Sequence, residues 1–249
     1  IMYNPFSLSG KTILITGASS GIGRATAIEC SKMGAVIVLT GRNQERLQET
    51  LALLEGNGHS LFTCDLTKEE EINNLAKELP TLNGVVLCAG ISMLRPIAAL
   101  NDDTLQTVFR TNCFAPMLLT RYLLKHKRME TGTSMVFVGS ISGISNVATA
   151  LSTYGASKSA LMSFVKYAAL ELAGKKIRCN AVLPGRVETA LLQNQTMNED
   201  EVQQDIAKYP LKRYAQPHEV AQGVIYLLSD AANWVTGTSL TIDGGRSLI

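Results

Sequence analysis

Short apolar runs alternate along the chain with longer segments in which apolar residues recur at helical spacing. The apolar, β-rich runs predict strands near residues 11–16, 35–40, 59–64, 85–88, 135–139, 177–183 and 238–242. The helical pattern predicts a helix that ends near 33 and others at 43–57, 69–79, 103–127, 152–172 and 219–229. Because strands and helices alternate without repeats, linkers or low-complexity tracts, we predict one α/β domain over residues 1–249.

The first strand runs into a glycine-rich turn that is followed by a helix. Gly17 lets the chain turn sharply, and Gly21 and Gly23 let the backbone approach a ligand because they carry no Cβ. Free N–H groups at the helix start can then bind a pyrophosphate. The Gly-x-x-x-Gly-x-Gly spacing differs from the commoner dinucleotide fingerprint, and the isolated string equally fits a tight turn. The residues of this segment that we predict to bind a cofactor are Gly17, Ser19, Ser20, Gly21, Ile22 and Gly23.

The second strand ends at Gly41 and Arg42, where a dinucleotide fold usually places an acidic residue on the adenosine ribose. Arg42 can pair with a 2′-phosphate through charge-assisted hydrogen bonds, whereas an aspartate would repel it. This residue therefore favours NADP(H) over NAD(H). The alternative is that Arg42 belongs to a solvated helix start, with Asn43 as the N-cap.

Two further strand ends carry candidate cofactor contacts. Asp65 comes just after the third strand, where it can meet an adenine amino group, cap the following helix, or do both. Gly90 follows the fourth strand and allows backbone to lie close to a ligand at the edge where open α/β sheets bind. From these two segments we assign to the cofactor site Asp65, Leu66, Cys88, Ala89 and Gly90.

Tyr154 and Lys158 stand four residues apart in a predicted helix, so both side chains project from one face. A nearby ammonium lowers the pKa of a phenol, which yields a tyrosine able to give or take a proton. The pair equally fits a core ring beside a solvated amine.

Ser140 follows a strand end, at the ligand edge of the sheet. Asn112 lies among apolar residues, where an amide usually bonds to local backbone or marks a kink.

Two polar stretches have less specific signals. Residues 188–211 are polar, glutamine-rich and helical in places, which predicts a mobile lid. The basic run at 125–128 is typical of a solvated helix end that complements the helix dipole. Its alternative is a docking patch for an acidic partner.

Composition narrows the function classes. The chain is 46% hydrophobic and 18% charged with a net charge of +2, which makes no electrostatic case for nucleic-acid or membrane binding. Its apolar runs fall short of the roughly 20 residues that span a bilayer, and no signal-peptide pattern opens it, so we expect a cytoplasmic protein. Its five scattered cysteines are expected to be reduced, and neither they nor the three histidines have metal-ligand spacing.

The joint pattern of Thr16-Gly17-x-x-x-Gly21-x-Gly23, Asn112, Ser140 and Tyr154-x-x-x-Lys158 resembles the short-chain dehydrogenase/reductase family over essentially the whole chain. The resemblance implies a doubly wound Rossmann-type fold. Its seven-stranded, mostly parallel sheet would have the order 3-2-1-4-5-6-7, with helices on both faces, and the assembly would be a homotetramer. It also implies a catalytic tetrad of Asn112, Ser140, Tyr154 and Lys158, and Asp65 on the adenine side. The residues matching the segment around the nicotinamide are Pro184, Gly185, Val187 and Thr189.

The chain departs from the family pattern at two places. Cys88 stands where an asparagine is common, which predicts some loss of local order because a side-chain amide is missing. The gap between Ser140 and Tyr154 is one residue longer than in many members, which predicts a longer substrate loop. Ser142 is a second candidate for the serine role, although Ser140 fits the strand end better.

The resemblance implies an NADP(H)-dependent oxidoreductase that interconverts a carbonyl and a secondary alcohol. The segments 215–221 and 235–245 resemble 3-oxoacyl-(acyl-carrier-protein) reductases and general alcohol or ketone reductases alike. An acyl thioester, delivered by an acidic carrier protein, is our first expectation for the substrate. A sugar, polyol or steroid-like alcohol is the alternative, and a non-catalytic NADP(H) sensor is a third reading, which loss of a tetrad residue would favour.

Overall fold

A computed structural model describes residues 3–189 and 198–249 of the 249-residue chain. Within these residues one sheet has the strand order β3-β2-β1-β4-β5-β6-β7, and all six pairings are parallel. The order confirms the one implied by the sequence. The strands are β1 (Thr12–Thr16), β2 (Val36–Gly41), β3 (Ser60–Thr63), β4 (Leu82–Leu87), β5 (Met129–Val138), β6 (Arg178–Pro184) and β7 (Ser239–Ile242).

Helices cover both faces of the sheet. They are α1 (Gly21–Lys32), α2 (Gln44–Leu51), α3 (Glu69–Glu78), α4 (Asp102–Phe109), α5 (Ala115–Lys125), α6 (Ser152–Leu172), α7 (Glu199–Ala207) and α8 (Pro217–Leu228). Within the described part of the chain, no helix is both long and apolar enough to cross a bilayer.

The apolar core lies in two layers because successive strand residues point to opposite faces. In β1, Leu14 packs with α3, α5 and α6, whereas Ile13 and Ile15 pack with α1 and α8. In β5, Phe137 and Val136 divide in the same way. Strands buried on both faces read as continuous apolar runs, which is why they were recognisable in the sequence.

Two predicted helices have different bounds in the structure. The helix predicted at 43–57 ends at Leu51, and Gly56 and Gly58 then take positive φ angles of 95° and 80° that a helix cannot contain. The helix predicted at 103–127 is interrupted between α4 and α5 by a π-helical turn at Arg110–Phe114. Pro116 explains part of this irregularity, because it has no N–H to donate to the carbonyl four residues before it.

The predicted lid is described only in part. Residues 190–197 lie outside the described residues. The remainder contains α7, which begins with a capping box in which Asn198 Oδ1 accepts from the N–H of Glu201 and Glu201 Oε2 accepts from the N–H of Asn198, both at 2.9 Å. This helix lies over the carboxyl edge of the sheet, where its last residues line a cavity.

Candidate active site

A cavity of about 720 Å³ opens at the carboxyl edge of the parallel strands. Nearly all the residues predicted from the sequence to bind cofactor or to carry the chemistry line it. Asn112 is the exception, because it is fully buried outside the lining. The predicted residues in the lining are Gly17, Ser19, Ser20, Gly21, Ile22, Gly23, Arg42, Asp65, Leu66, Cys88, Ala89, Gly90, Ser140, Tyr154, Lys158, Pro184, Gly185, Val187 and Thr189. Among the described residues, no group of three or more His, Cys, Asp or Glu side chains could hold a metal ion.

The turn after β1 needs its glycines for close backbone packing. Gly17 has φ of 67°, and a Cβ there would lie 2.9 Å from the Cα of Ala89. A Cβ on Gly23 would lie 2.3 Å from the Gly17 carbonyl oxygen, well inside contact distance. The start of α1 therefore lies directly against the turn, with its first N–H groups beside the cavity, as a pyrophosphate site requires.

Two guanidinium groups line the cavity near the start of α2. Arg42 and Arg46 both line it and both are exposed. Asn43 is the N-cap of α2 and accepts a hydrogen bond from the N–H of Arg46 at 2.9 Å, so the predicted cap is present beside the proposed phosphate contact. Sequence reasoning missed Arg46, although its position one helical turn after Arg42 is a usable signal.

Asp65 is held by the turn that follows β3. Its Oδ1 accepts from the N–H of Thr67 at 3.0 Å and from Thr67 Oγ1 at 2.8 Å. Lys68 is the N-cap of α3, so Asp65 stabilises the preceding turn and does not cap that helix as one alternative expected. Burial acts to raise the pKa of Asp65, but the hydrogen bonds from Thr67 and the charges of Arg42 and Lys68 lower it below its ordinary value.

The ends of β1 and β4 are joined by hydrogen bonds that the sequence did not predict. Thr16 Oγ1 accepts hydrogen bonds from the N–H of Cys88 at 2.9 Å and of Ala89 at 3.1 Å. Both N–H groups are therefore satisfied although Cys88 replaces the usual asparagine. Burial raises the pKa of the Cys88 thiol to about 11, and the nearby Lys158 charge offsets this only in part, so the thiol stays protonated at neutral pH.

Ser140 and Tyr154 meet at the cavity wall. A hydrogen bond with Ser140 acts to lower the pKa of Tyr154, but burial dominates and raises it above its ordinary value. Ser140 Oγ also accepts from the N–H of Ser142 at 3.1 Å, which fixes the Ser140 side chain at the end of β5. Ser140, and not the alternative Ser142, is thus the serine that acts on the pKa of Tyr154.

Lys158 does not depress the pKa of Tyr154 in this structure, contrary to the expectation from their helical spacing. Its Nζ donates to the Val138 carbonyl at 2.7 Å and lies 6.0 Å from the centroid of the Tyr154 ring. Burial lowers the pKa of the Lys158 ammonium to about 8. The lysine is therefore anchored to the end of β5, and its charge is itself disfavoured by the apolar surroundings.

Asn112 lies in the π-helical turn and bonds to local backbone, as a buried asparagine amide usually does. Its Oδ1 accepts from the N–H of Ile91 at 2.8 Å, and its Nδ2 donates to the Ile91 carbonyl at 2.9 Å and to Ser157 Oγ at 3.1 Å. Ser157 in turn donates to the Tyr154 carbonyl at 2.7 Å. Ser157 therefore links Asn112 to the turn of α6 that carries Tyr154, and it is a residue that sequence reasoning missed.

We expect Ser157→Ala to lower the free energy of unfolding by about 1–3 kcal/mol, because Asn112 Nδ2 would be left one acceptor short in the interior. Ser159→Ala is the matched control, since its hydroxyl makes an exposed hydrogen bond to the Gly143 carbonyl from the same helix. Chemical denaturation of the two variants measures the difference. Equal losses in both variants would contradict a buried link through Ser157.

A family model, relatives by sequence and a solved structure each match most of this chain. A family model described as enoyl-(acyl carrier protein) reductase matches residues 17–247. The 3-oxoacyl-(acyl-carrier-protein) reductase of Rickettsia felis is 33% identical over 242 residues, which cover 97% of this chain and 99% of that protein. Glucose 1-dehydrogenase of Gluconobacter oxydans is 30% identical, covering 96% of this chain and 93% of that protein. The structure of the Pseudomonas aeruginosa RhlG/NADP active-site complex has a TM-score of 0.92 at 29% identity, covering 99% of this chain and 100% of that one.

The chain belongs to the short-chain dehydrogenase/reductase family. It is an oxidoreductase of the kind that acts on CH–OH and carbonyl groups. Relatives that match the chain are named for different substrates, a 3-oxoacyl-(acyl-carrier-protein) and glucose.

Proposed function

We propose that the protein is an NADP(H)-dependent oxidoreductase that interconverts a carbonyl compound and a secondary alcohol. One observation carries the proposal: Ser140, Tyr154 and Lys158 line the same cavity as the glycine turn that fits a dinucleotide. The turn fits a dinucleotide because its backbone packs closely at the start of α1. A Cβ on Gly17 or Gly23 would collide with neighbouring backbone. The cofactor would be held by the N-terminus of α1, by Arg42 and Asp65, and by the residues after β6.

When bound, NADP(H) supplies or accepts the hydride. Tyr154 donates a proton to the carbonyl oxygen in reduction and takes it back in oxidation. Ser140 hydrogen-bonds the same oxygen, where negative charge develops. Lys158 would hold the nicotinamide ribose. We also assign to its ammonium the stabilisation of the Tyr154 phenolate in the reacting complex, although in this structure its Nζ donates to the Val138 carbonyl.

Asn112 orders a water that connects Lys158 to solvent. A Cβ on Gly90 would lie 3.3 Å from both Asn112 Oδ1 and Lys158 Nζ, so these polar groups flank one backbone position. The side-chain amide of Asn112 is already committed to Ile91 and Ser157. We therefore assign the water to the main-chain carbonyl of Asn112.

We expect Arg42→Ala to raise the KM for NADPH by about 10- to 100-fold, since a charge-assisted hydrogen bond contributes about 1.5–3 kcal/mol. The KM for NADH should change little, because NADH has no 2′-phosphate. Initial rates with both cofactors, measured also for Arg121→Ala on the exposed face of α5, test the assignment. A parallel rise for both cofactors would contradict a phosphate contact.

For the substrate, we place a 3-oxoacyl thioester first, supported by the relatives with that activity in their names. A sugar or polyol is the second candidate, supported by the glucose 1-dehydrogenase relative. Initial rates with NADPH on acetoacetyl thioesters and on a panel of ketones and keto-sugars decide between them. No turnover on thioesters would remove the first candidate, and tight NADPH binding without turnover on any carbonyl would favour the sensor reading.

We also propose that an acidic carrier protein delivers the substrate and that the protein assembles as a homotetramer. In the basic run, His126 bonds to Asn73 and Arg128 donates to main-chain carbonyls at the end of α3, which leaves Lys125 and Lys127 exposed for an acidic partner.

The helices α4, α5 and α6 are the expected subunit contacts of the tetramer, and the exposed Leu170 supports this for α6. A sizing experiment tests the tetramer, and a monomer would contradict it.

A further inference from the structure

Three cationic side chains line the part of the cavity formed by β6, α7 and the C-terminal turn. Arg186 follows β6, Lys208 ends α7, and Arg246 lies in the turn after β7. All three line the cavity. We call Arg186, Lys208 and Arg246 the cationic rim.

Local packing holds the C-terminal turn against α7. Asp243 accepts from the N–H of Gly245 at 3.0 Å and from the N–H of Ser247 at 2.8 Å, which fixes the turn that carries Arg246. A Cβ on Gly245 would lie 2.8 Å from Pro210 Cγ, and the N–H of Leu211 donates to the Gly244 carbonyl at 3.3 Å. Arg246 is thereby positioned beside the end of α7.

The end of β6 is tied to the same place. The N–H of Arg186 donates to Tyr209 Oη at 3.0 Å, and Tyr209 is buried. Arg186 Nε pairs with Asp205 Oδ2 at 2.9 Å, and Tyr214 donates to the same oxygen at 2.9 Å. Arg186 is therefore held by buried and paired neighbours, whereas the Lys208 side chain is exposed beside it.

Within the described residues, side-chain carboxylates balance the charges of the rim only in part. Asp205 offsets Arg186, and its distance of 3.9 Å to Lys208 Nζ is long for an ion pair. Within residues 3–189 and 198–249, Arg246 has no side-chain carboxylate partner, and its guanidinium donates to the Ile249 carbonyl. The remaining segment 190–197 contains no ionisable residue, and Glu188 accepts from Gln216 instead. Among the side chains that the structure describes, one carboxylate, that of Asp205, thus faces the three cations.

The fold does not require Lys208 at the helix end. A cation near the C-terminus of α7 would complement the helix dipole, but Lys212 Nζ already donates to the Ala207 carbonyl at 2.7 Å. Lys208 can therefore present its ammonium to the cavity. Concentrated positive charge in a partly closed site favours an anionic ligand, because the walls limit screening by solvent.

We propose that the substrate carries an anionic group, a carboxylate or a phosphate, and that Lys208 and Arg246 bind it while Asp205 holds Arg186 in place. This inference rests on the proposed carbonyl reduction and names the class of its substrate. In this proposal the reacting carbonyl lies at Tyr154 and the anionic group at the cationic rim of the same cavity. A carboxylate would belong to an oxo acid, and a phosphate would belong to a phosphopantetheine thioester.

The test compares matched substrates that differ only in charge. One pair is a six-carbon oxo-sugar acid and its methyl ester, and the other is acetoacetyl-phosphopantetheine and acetoacetyl-pantetheine. With NADPH, we expect kcat/KM to be at least tenfold higher for the anionic member of one pair. The pair that responds identifies carboxylate or phosphate as the group.

Variants then assign the effect to the rim. Arg246→Gln and Lys208→Gln should each lower the ratio of kcat/KM between the anionic and the neutral member about tenfold, and Arg246→Lys should restore part of it. Lys166→Gln, which removes an exposed charge from α6, should leave the ratio unchanged. Thermal unfolding of each variant shows whether it is folded.

Equal kcat/KM for the charged and neutral members of both pairs would overturn the inference while leaving carbonyl reduction intact. A ratio that is unchanged in folded Arg246→Gln and Lys208→Gln would overturn the assignment to the rim. No turnover of any of the four compounds, nor of any ketone in the panel, would instead overturn the proposed function.

Discussion

Tyr154→Phe is expected to lower kcat about 1000-fold on any substrate that the wild-type protein reduces, because positioned general acid–base groups contribute about 10²- to 10⁴-fold. Phenylalanine keeps the ring that α6 places in the cavity wall and removes only the hydroxyl. The loss should appear in kcat with little change in the KM for NADPH, because the proton is transferred only in the chemical step. Initial-rate kinetics in the direction of reduction measure it.

Tyr167→Phe provides the matched control for this result. Tyr167 is on the same helix but is exposed and outside the cavity lining, so its hydroxyl should be dispensable. Far-UV circular dichroism of both variants checks that α6 is retained. If Tyr154→Phe kept turnover within a few fold of wild type on a proven substrate, another group would have to supply the proton.

The sheet and the cavity could be predicted because the features that determine them are local in the sequence. Strands such as β1 and β5 are apolar on both faces, and their alternate residues pack into separate layers. The glycine turn and the Tyr154–Lys158 spacing each lie within one short segment. Since the carboxyl ends of parallel strands gather at one edge, the order of these segments was enough to bring them together.

The supporting contacts could not be predicted because their partners are distant in the chain. Thr16 bonds to a residue 72 positions away, and Asn112 bonds to Ser157 across 45 positions. No local pattern marks such a hydroxyl as buried. The cationic rim could not be predicted for the same reason, because its residues come from three separate parts of the chain, near β6, α7 and the C-terminal turn.

The pKa of Tyr154 shows a different limit of sequence reasoning. Helical spacing correctly placed Lys158 one turn away from Tyr154, but it did not show which group the ammonium would contact. Packing directs Lys158 Nζ to the Val138 carbonyl, and burial then sets the direction of both pKa shifts. Proximity along a helix therefore predicts a shared site but not the sign of the electrostatic coupling.

Lys158→Met is expected to abolish most activity and at the same time to stabilise the cofactor-free protein. We expect kcat to fall about 100- to 1000-fold, because the variant loses the charge that favours the phenolate. Burial holds the pKa of Lys158 near 8 against an ordinary value of 10.5, so the folded state disfavours the ammonium at neutral pH. Removing that charge should raise the free energy of unfolding at pH 7 by about 1–3 kcal/mol.

The pH dependence of the free energy of unfolding tests whether the buried charge of Lys158 destabilises the folded protein. Between pH 8 and 10.5 the unfolded chain retains the lysine proton while the folded protein releases it, so the wild-type free energy of unfolding rises with pH in this window. The difference between Lys158→Met and wild type should therefore be largest below pH 8 and shrink above it. Lys166→Met, from the exposed face of α6, should show no such pH-dependent difference. A Lys158→Met protein that is less stable than wild type at pH 7, with a difference independent of pH, would mean that Lys158 is held as a well-compensated ammonium.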